Sequence, residues 1–169
     1  FLEKCAMVSA ARIRFSVGVV GLRENFDAIE MLRARLPREV YLWINAYKRK
    51  SNYYSEDEIK RLLRVDPHFH WNLRRYQSRG SPCDAGKTSI AVDENGNARR
   101  CHFTDEIIGN IYNPCFEEAL RIRTCPAETC GCHIGYIHRP ELGLQALYGD
   151  GLAERIPARW PEANLVNAG

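Results

Sequence analysis

Long hydrophobic runs are missing from this 169-residue sequence. No apolar segment approaches the roughly 18–20 residues that span a membrane, and the chain does not start with the charged-then-apolar pattern of a signal peptide. Long runs of one charge sign are missing too, because 24 basic and 21 acidic residues leave a net charge of only +3 and the arginines are scattered. The sequence therefore gives no argument for a membrane partner or a nucleic-acid partner.

Cysteine, in contrast, is plentiful. The chain has seven cysteines, an odd number, and no sign of secretion, which favours a metal or redox site over a disulfide framework. Such thiolates need a reducing compartment, so we expect a cytoplasmic protein. Cys5 and Cys115 stand apart, and Cys115 is predicted to be a small buried side chain. The candidate ligands are Cys83, Cys101, Cys125, Cys130 and Cys132.

The first 77 residues alternate between strand and helix patterns. The predicted elements are a strand within 11–21, a helix that ends at Pro37, an apolar strand over 40–46, a helix opened by a capping box of Ser55 and Glu58, and a short third strand over 67–73. This order is typical of βαβ units and a parallel sheet. Because a complete (β/α)₈ barrel needs about 250 residues, we expect an α/β fold that is only part of such a barrel.

The pattern changes near residue 78. Two short strands flank Asn95-Gly96, a strong signal for a β-hairpin. A helix is predicted to follow in NPCFEEALR, with Asn113 as its cap. We therefore predict a small β-hairpin-plus-helix, cysteine-rich domain over 78–138 and a C-terminal tail over 139–169.

The cysteines allow three kinds of chemistry. If the hairpin places its ends side by side, Cys83 and Cys101 can face one metal although 17 residues separate them. Four thiolates suit zinc and iron–sulfur clusters equally, although zinc more often uses two short C-x₂₋₄-C knuckles. A disulfide between Cys83 and Cys101 is the third possibility. His133 could replace a thiolate or be structural, and His68 and His70 share a strand face but have no evident third ligand.

The spacing of the first cysteine pair carries a family resemblance. CDAGKTSIAVDENGNARRC reads C-x₁₂-G-x₄-C, and it is followed by IIGNIYNPCFEEALR and a cysteine cluster. This resembles the auxiliary-cluster domain, of SPASM or shortened twitch type, that follows the barrel in many radical S-adenosylmethionine (SAM) enzymes. Upstream, RFSVGVVGLRENFDAIEMLR and VYLWINAY are similar to a middle strand and helix of that barrel and to its next strand, which implies a partial radical SAM barrel over 1–77.

The resemblance implies one auxiliary 4Fe-4S cluster. Cys83 and Cys101 would be ligands, and the remaining ligands would come from Cys125, Cys130 and Cys132. In the barrel part, Ser16 resembles the polar position that contacts the ribose or carboxylate of SAM. Asn45 lies at a strand end, where a side chain that faces SAM would be useful. Each could instead satisfy local backbone groups.

The sequence departs from the family in one respect. The C-x₃-C-x₂-C motif of the SAM-cleaving cluster is absent, so we expect this chain to be a fragment whose missing N-terminal part carries it. The implied function is electron relay or substrate anchoring, with a reductant such as flavodoxin or ferredoxin and a peptide or small-molecule substrate. The alternative is a non-enzymatic zinc-binding structural or interaction module.

Overall fold

A computed structural model describes residues 1–160 of the chain. They divide into two compact units: unit 1 is Phe1–Arg74 together with 146–160, and unit 2 is Arg75–Gln145. The predicted tail is thus shared between the units as far as residue 160, and 161–169 lies outside the described residues. The described part is mixed α/β with six helices and several small sheets, and no closed barrel forms within it.

Unit 1 carries most of the helices. Its elements are α1 (Leu2–Ala10), β1 (Ser16–Val20), α2 (Phe26–Arg35), β2 (Tyr41–Asn45), α3 (Glu56–Leu63) and α4 (Phe69–Leu73). The strands of unit 2 are β3 (Tyr76–Gln77), β4 (Pro82–Cys83), β5 (Ala91–Val92), β6 (Asn97–Arg99), β7 (Ile107–Asn110), β8 (Arg123–Thr124) and β9 (Thr129–Cys130), followed by α5 (His133–Tyr136). Helix α6 (Leu144–Tyr148) begins in unit 2 and ends in unit 1. Among residues 1–160, no helix has the length and apolar character that crossing a bilayer requires.

A βαβ unit forms the centre of unit 1. Strands β1 and β2 pair in parallel, from Ser16 opposite Tyr41 to Val20 opposite Asn45, and α2 connects them. The buried core that packs around this pair consists of Cys5, Val17, Phe26, Ile29, Leu36, Val40, Leu42, Ile44, Leu62, Val65 and Phe69. The predicted strand–helix–strand order is confirmed, although the first strand begins only at Ser16.

The predicted third strand is wrong. Residues 69–73 form helix α4, so His68 caps a helix and does not share a strand face with His70. The carboxylate of Asp66 explains the turn, because it accepts hydrogen bonds from the backbone N–H groups of His68 (3.0 Å) and Ile44 (2.8 Å). Asn72 then faces inward and accepts the N–H of Ala46 at 2.6 Å, which ties the helix to the end of β2.

The predicted capping box of α3 is confirmed. The Ser55 hydroxyl accepts the backbone N–H of Glu58 at 3.3 Å, and the Glu58 carboxylate accepts the N–H of Ser55 at 2.7 Å. Both interactions satisfy N–H groups that the helix itself leaves without partners.

Ser55→Ala removes half of this capping box. We expect the free energy of unfolding to fall by about 1 kcal/mol, the usual cost of losing a serine N-cap. Chemical denaturation measures this loss, and Ser51→Ala, at an exposed turn residue, is the control that leaves stability unchanged. If Ser55→Ala lowers the free energy of unfolding no more than Ser51→Ala does, the capping box contributes nothing to stability.

Unit 2 contains the predicted hairpin in shortened form. Strands β5 and β6 pair with Ala91 opposite Arg99 and Val92 opposite Ala98, and β7 adds a third strand. Gly96 has φ +79°, the left-handed conformation that a three-residue hairpin loop needs.

Three further expectations for unit 2 are wrong. Cys83 and Cys101 are not the facing ends of the hairpin, because Cys83 belongs to β4 and lies opposite Arg123 of β8. The helix expected in NPCFEEALR is one 3₁₀ turn at Phe116–Ala119, although the Asn113 side chain does accept the N–H of Cys115 (2.9 Å). Cys115 is exposed rather than buried, since this single turn has no buried face to place it on.

Candidate metal centre

The five candidate ligands come from four segments of unit 2. Cys83 ends β4, Cys101 follows β6, Cys125 follows β8, Cys130 ends β9 and Cys132 immediately precedes α5. All seven cysteines of the chain are free thiols, including the pair that could have formed a disulfide. The fold of unit 2 therefore supplies thiols from four segments of the chain, the last of which contains both Cys130 and Cys132.

The pairing of β4 with β8 places Cys83 and Cys125 on one face. Cys83 lies opposite Arg123, and the N–H of Cys125 donates to the carbonyl of Ser81 at 2.9 Å, so the ladder continues to Cys125. Residues two apart on a strand point to the same side, and diagonal neighbours across an antiparallel pair lie within side-chain reach. The β4–β8 pair, and not the ends of the predicted hairpin, therefore aligns Cys83 with a second thiol.

Electrostatic interactions join all five thiols. Burial raises the pKa of Cys101, and the neighbouring thiols Cys83, Cys125 and Cys132 raise it further. Burial likewise raises the pKa of Cys130 to about 11, with additional contributions from Cys101, Cys125 and Cys83. These contributions link the five predicted thiols electrostatically, and their assignment as metal ligands stays a prediction.

Two of the sulfur atoms accept backbone hydrogen bonds. The N–H of Phe103 donates to the Cys101 sulfur, and the N–H of Cys132 donates to the Cys130 sulfur. Each bond lowers the thiol pKa and so partly opposes the effect of burial. Hydrogen bonds of this kind stabilise a thiolate, and around metal–thiolate sites they tune the bound metal.

Helix α5 fits closely against one of these sulfurs. A Cβ added at Gly135 would lie only 2.5 Å from the Cys130 sulfur. The N–H of Gly135 donates to the carbonyl of Cys132 at 2.9 Å, which fixes the start of the helix beside the site. Only glycine leaves room for the Cys130 sulfur at this position.

Gly135→Ala displaces the Cys130 sulfur. We expect metal retention after reconstitution to fall at least tenfold, since changes in the surroundings of metal ligands typically cost about 10- to 100-fold in affinity. Iron analysis after desalting measures the loss. Ile134→Ala changes the exposed neighbour in the same helix and is the matched control. Equal retention in the two variants would contradict a close fit of Gly135 to the site.

The other candidate ligands are engaged elsewhere. His133 is buried, and its Nδ1 lies 3.3 Å from the Tyr136 hydroxyl, which suits a structural role. The rings of His68 and His70 are 6.4 Å apart in unit 1. Within residues 1–160, no group of three or more His, Cys, Asp or Glu side chains is arranged to hold a single metal ion. The five thiols thus form one neighbourhood, without a closed shell around one ion.

Ser16 and Asn45 lie at opposite ends of the β1–β2 pair. Ser16 and Asn45 are four residues apart along the strand direction, a separation of about 13 Å. The Ser16 hydroxyl accepts the indole N–H of Trp43 (3.0 Å) and donates to the Glu154 carbonyl. The Asn45 side chain accepts from Arg155, whose guanidinium lies 3.6 Å above the Trp43 ring. Both polar groups are satisfied within unit 1, and the structure does not bring them together.

The sequence reasoning missed two buried cations of unit 2, Arg100 and Arg139. A signal for Arg100 exists in the hairpin, where burial alternates so that Ala98 and Arg100 are buried while Arg99 is half-exposed. Continuing the strand alternation two residues on from Ala98 would have placed Arg100 inward.

A donor set of thiols alone selects soft metals such as zinc, copper(I) or iron in iron–sulfur clusters. Unit 2 offers one thiol more than the four that a structural zinc site or a 4Fe-4S cluster uses. The arrangement is therefore suited to a metal–thiolate centre in which one of the five cysteines is not a ligand. No family model, curated protein or solved structure matches this chain.

Proposed function

We propose that unit 2 is an auxiliary-cluster domain of the radical SAM type, and that four of its five grouped thiolates hold one 4Fe-4S cluster. The observation that carries this proposal is the convergence of five cysteines from four segments of one compact unit, with thiols that interact electrostatically. The C-x₁₂-G-x₄-C spacing between Cys83 and Cys101 supports the same assignment.

The residues present fit such a group. Iron–sulfur clusters are held by cysteine thiolates, and their potentials depend on hydrogen bonds to sulfur and on solvent exposure. Cys83 is 7% exposed, and the Cys101 and Cys130 sulfurs accept backbone N–H groups. When bound, a cluster of this kind passes on single electrons or offers an iron to a substrate donor atom. The chain's own contribution is to position the thiolates, exclude water and donate hydrogen bonds to sulfur.

Cys83 and Cys101 are proposed as two of the four ligands, and Cys125, Cys130 and Cys132 supply the other two. The ladder between β4 and β8 holds Cys83 and Cys125 on one face, which favours Cys125 as a third ligand. Cys130 and Cys132 are then alternatives for the fourth place, one at the end of β9 and one at the start of α5.

The described residues do not fit SAM itself. The sequence has no C-x₃-C-x₂-C motif, and the side chains of Ser16 and Asn45 are satisfied locally at opposite ends of the strand pair. No step of SAM cleavage is derived from this chain. We propose that cleavage belongs to a longer cytoplasmic protein, in which flavodoxin or ferredoxin supplies electrons and a peptide or small molecule is the substrate.

Metal competition tests this proposal against a structural zinc module. The chain is unfolded, reduced and refolded anaerobically with iron, sulfide and zinc supplied together. A brown absorption that bleaches when dithionite is added would support the cluster. A colourless protein that retains one tightly bound zinc and no sulfide would overturn the proposal and indicate a structural module.

A further inference from the structure

Unit 2 buries cations but no carboxylate. Of its described residues, the only charged side chains in the buried class are Arg100, 2% exposed, and Arg139, 6% exposed. Burying a charge is costly unless an opposite charge or a full set of hydrogen bonds offsets the lost hydration. Each arginine therefore needs a compensating partner, and the surrounding groups indicate what that partner is.

The Arg100 guanidinium has no carboxylate partner. It donates to the carbonyl of Arg123 at 2.9 Å and to that of Thr124, and no Asp or Glu in the described part of the chain pairs with it. Thr124 immediately precedes Cys125, and Arg100 itself immediately precedes Cys101. The guanidinium is thus bonded to the backbone of β8 immediately before Cys125.

Arg139 is held beside the same sheet. Its Nη2 lies 3.3 Å from the Ser81 hydroxyl, and the Ser81 carbonyl accepts the N–H of Cys125. Its Nε donates to Glu141 at 2.8 Å, but the Glu141 side chain is 42% exposed, so this pairing is only partly shielded from water. The Nη1 atom of Arg139 is buried without a hydrogen-bond partner.

We propose that Arg100 and Arg139 are counter-cations of the thiolate centre and raise its reduction potential. This inference rests on the proposed function, since it assigns their missing counter-charge to the four-thiolate cluster. A cluster with four thiolate ligands is anionic, and one-electron reduction by an external donor adds a further negative charge. Buried positive charge stabilises the reduced form more than the oxidised form, because the attraction grows with the charge on the cluster.

The test is a reduction-potential titration of the reconstituted chain with dithionite. Arg100→Gln is expected to lower the potential and to increase loss of iron about tenfold or more on dilution. Arg100→Lys keeps the charge and is expected to restore most of the potential. Arg121→Gln, at an exposed arginine of the same unit, is the control and leaves the potential unchanged.

A second variant covers the case in which Arg100→Gln fails to fold. Glu141→Gln removes the partly exposed carboxylate that offsets Arg139, so we expect a shift of the potential in the opposite direction, upward. Glu128→Gln, an exposed carboxylate paired with Arg79, is its control. Potentials of Glu141→Gln, and of Arg100→Gln where that variant folds, that match their controls would overturn the inference. A wild-type chain without iron and sulfide would instead overturn the proposed function, so the two failures are distinguishable.

Discussion

Cys83→Ser and Cys101→Ser are each expected to abolish cluster binding. Iron should fall from about four atoms per chain to less than about one, because a 4Fe-4S cluster needs four thiolates and serine is a poor replacement for a soft ligand. Cys83 comes from β4 and Cys101 from the segment after β6, so neither segment contains a second thiol that could take its place. Iron and sulfide analysis after anaerobic reconstitution measures the effect.

Cys115→Ser is the matched control for these variants. Cys115 is exposed and takes no part in the electrostatic network of the five thiols, so its loss should leave iron content unchanged. Among Cys125, Cys130 and Cys132, one serine variant should retain the cluster and two should lose it. Retention of full iron by Cys83→Ser or by Cys101→Ser would contradict the ligand assignment.

Metal binding is expected to depend steeply on pH. With Zn²⁺ as a redox-silent probe of the same thiols, apparent affinity should rise at least about 100-fold between pH 6 and pH 7, tenfold for each proton displaced. Burial raises the pKa of Cys101 and raises that of Cys130 to about 11, so the thiol form dominates at these pH values. Because a metal binds the thiolate form, each cysteine ligand must release its thiol proton when the metal binds.

The sign of this dependence follows from competition between metal and proton, and the raised pKa values of Cys101 and Cys130 extend it to higher pH. Below a thiol's pKa the metal competes with a proton, so affinity rises with pH and levels off only above that pKa. Competition with a chelator at several pH values gives the slope, and proton release into weakly buffered solution at pH 7 counts the thiols directly. Release of at least two protons is expected. A pH-independent affinity without proton release would show that other groups bind the metal.

Local signals in the sequence predicted the local parts of the fold. Ser55 and Glu58 have capping-box spacing and form a capping box, and Asn95-Gly96 turns a hairpin. The short run over 67–73 was misassigned as a strand because apolar runs of this length fit either structure. In this run a helix forms, and the Asp66 side chain fixes the turn before it by accepting the backbone N–H groups of Ile44 and His68.

The candidate site was only partly predictable. The sequence shows that Cys83 and Cys101 belong to one cysteine-rich region, but the partner of β4 is β8, about 40 residues later, and no local pattern reveals such a long-range pairing. The buried arginines were missed for a related reason. Strand alternation from Ala98 indicates that Arg100 points inward, but its hydrogen-bond acceptors are backbone carbonyls of β8, which residue types do not reveal.

Iron and sulfide content of the wild-type chain tests the central claim most directly. After anaerobic reconstitution and removal of unbound metal, we expect about four irons and four sulfides per chain, the composition of one 4Fe-4S cluster. Zinc should be absent from the same sample. A chain that holds neither iron nor sulfide, or that holds one zinc in their place, would contradict the assignment of unit 2 as an iron–sulfur domain.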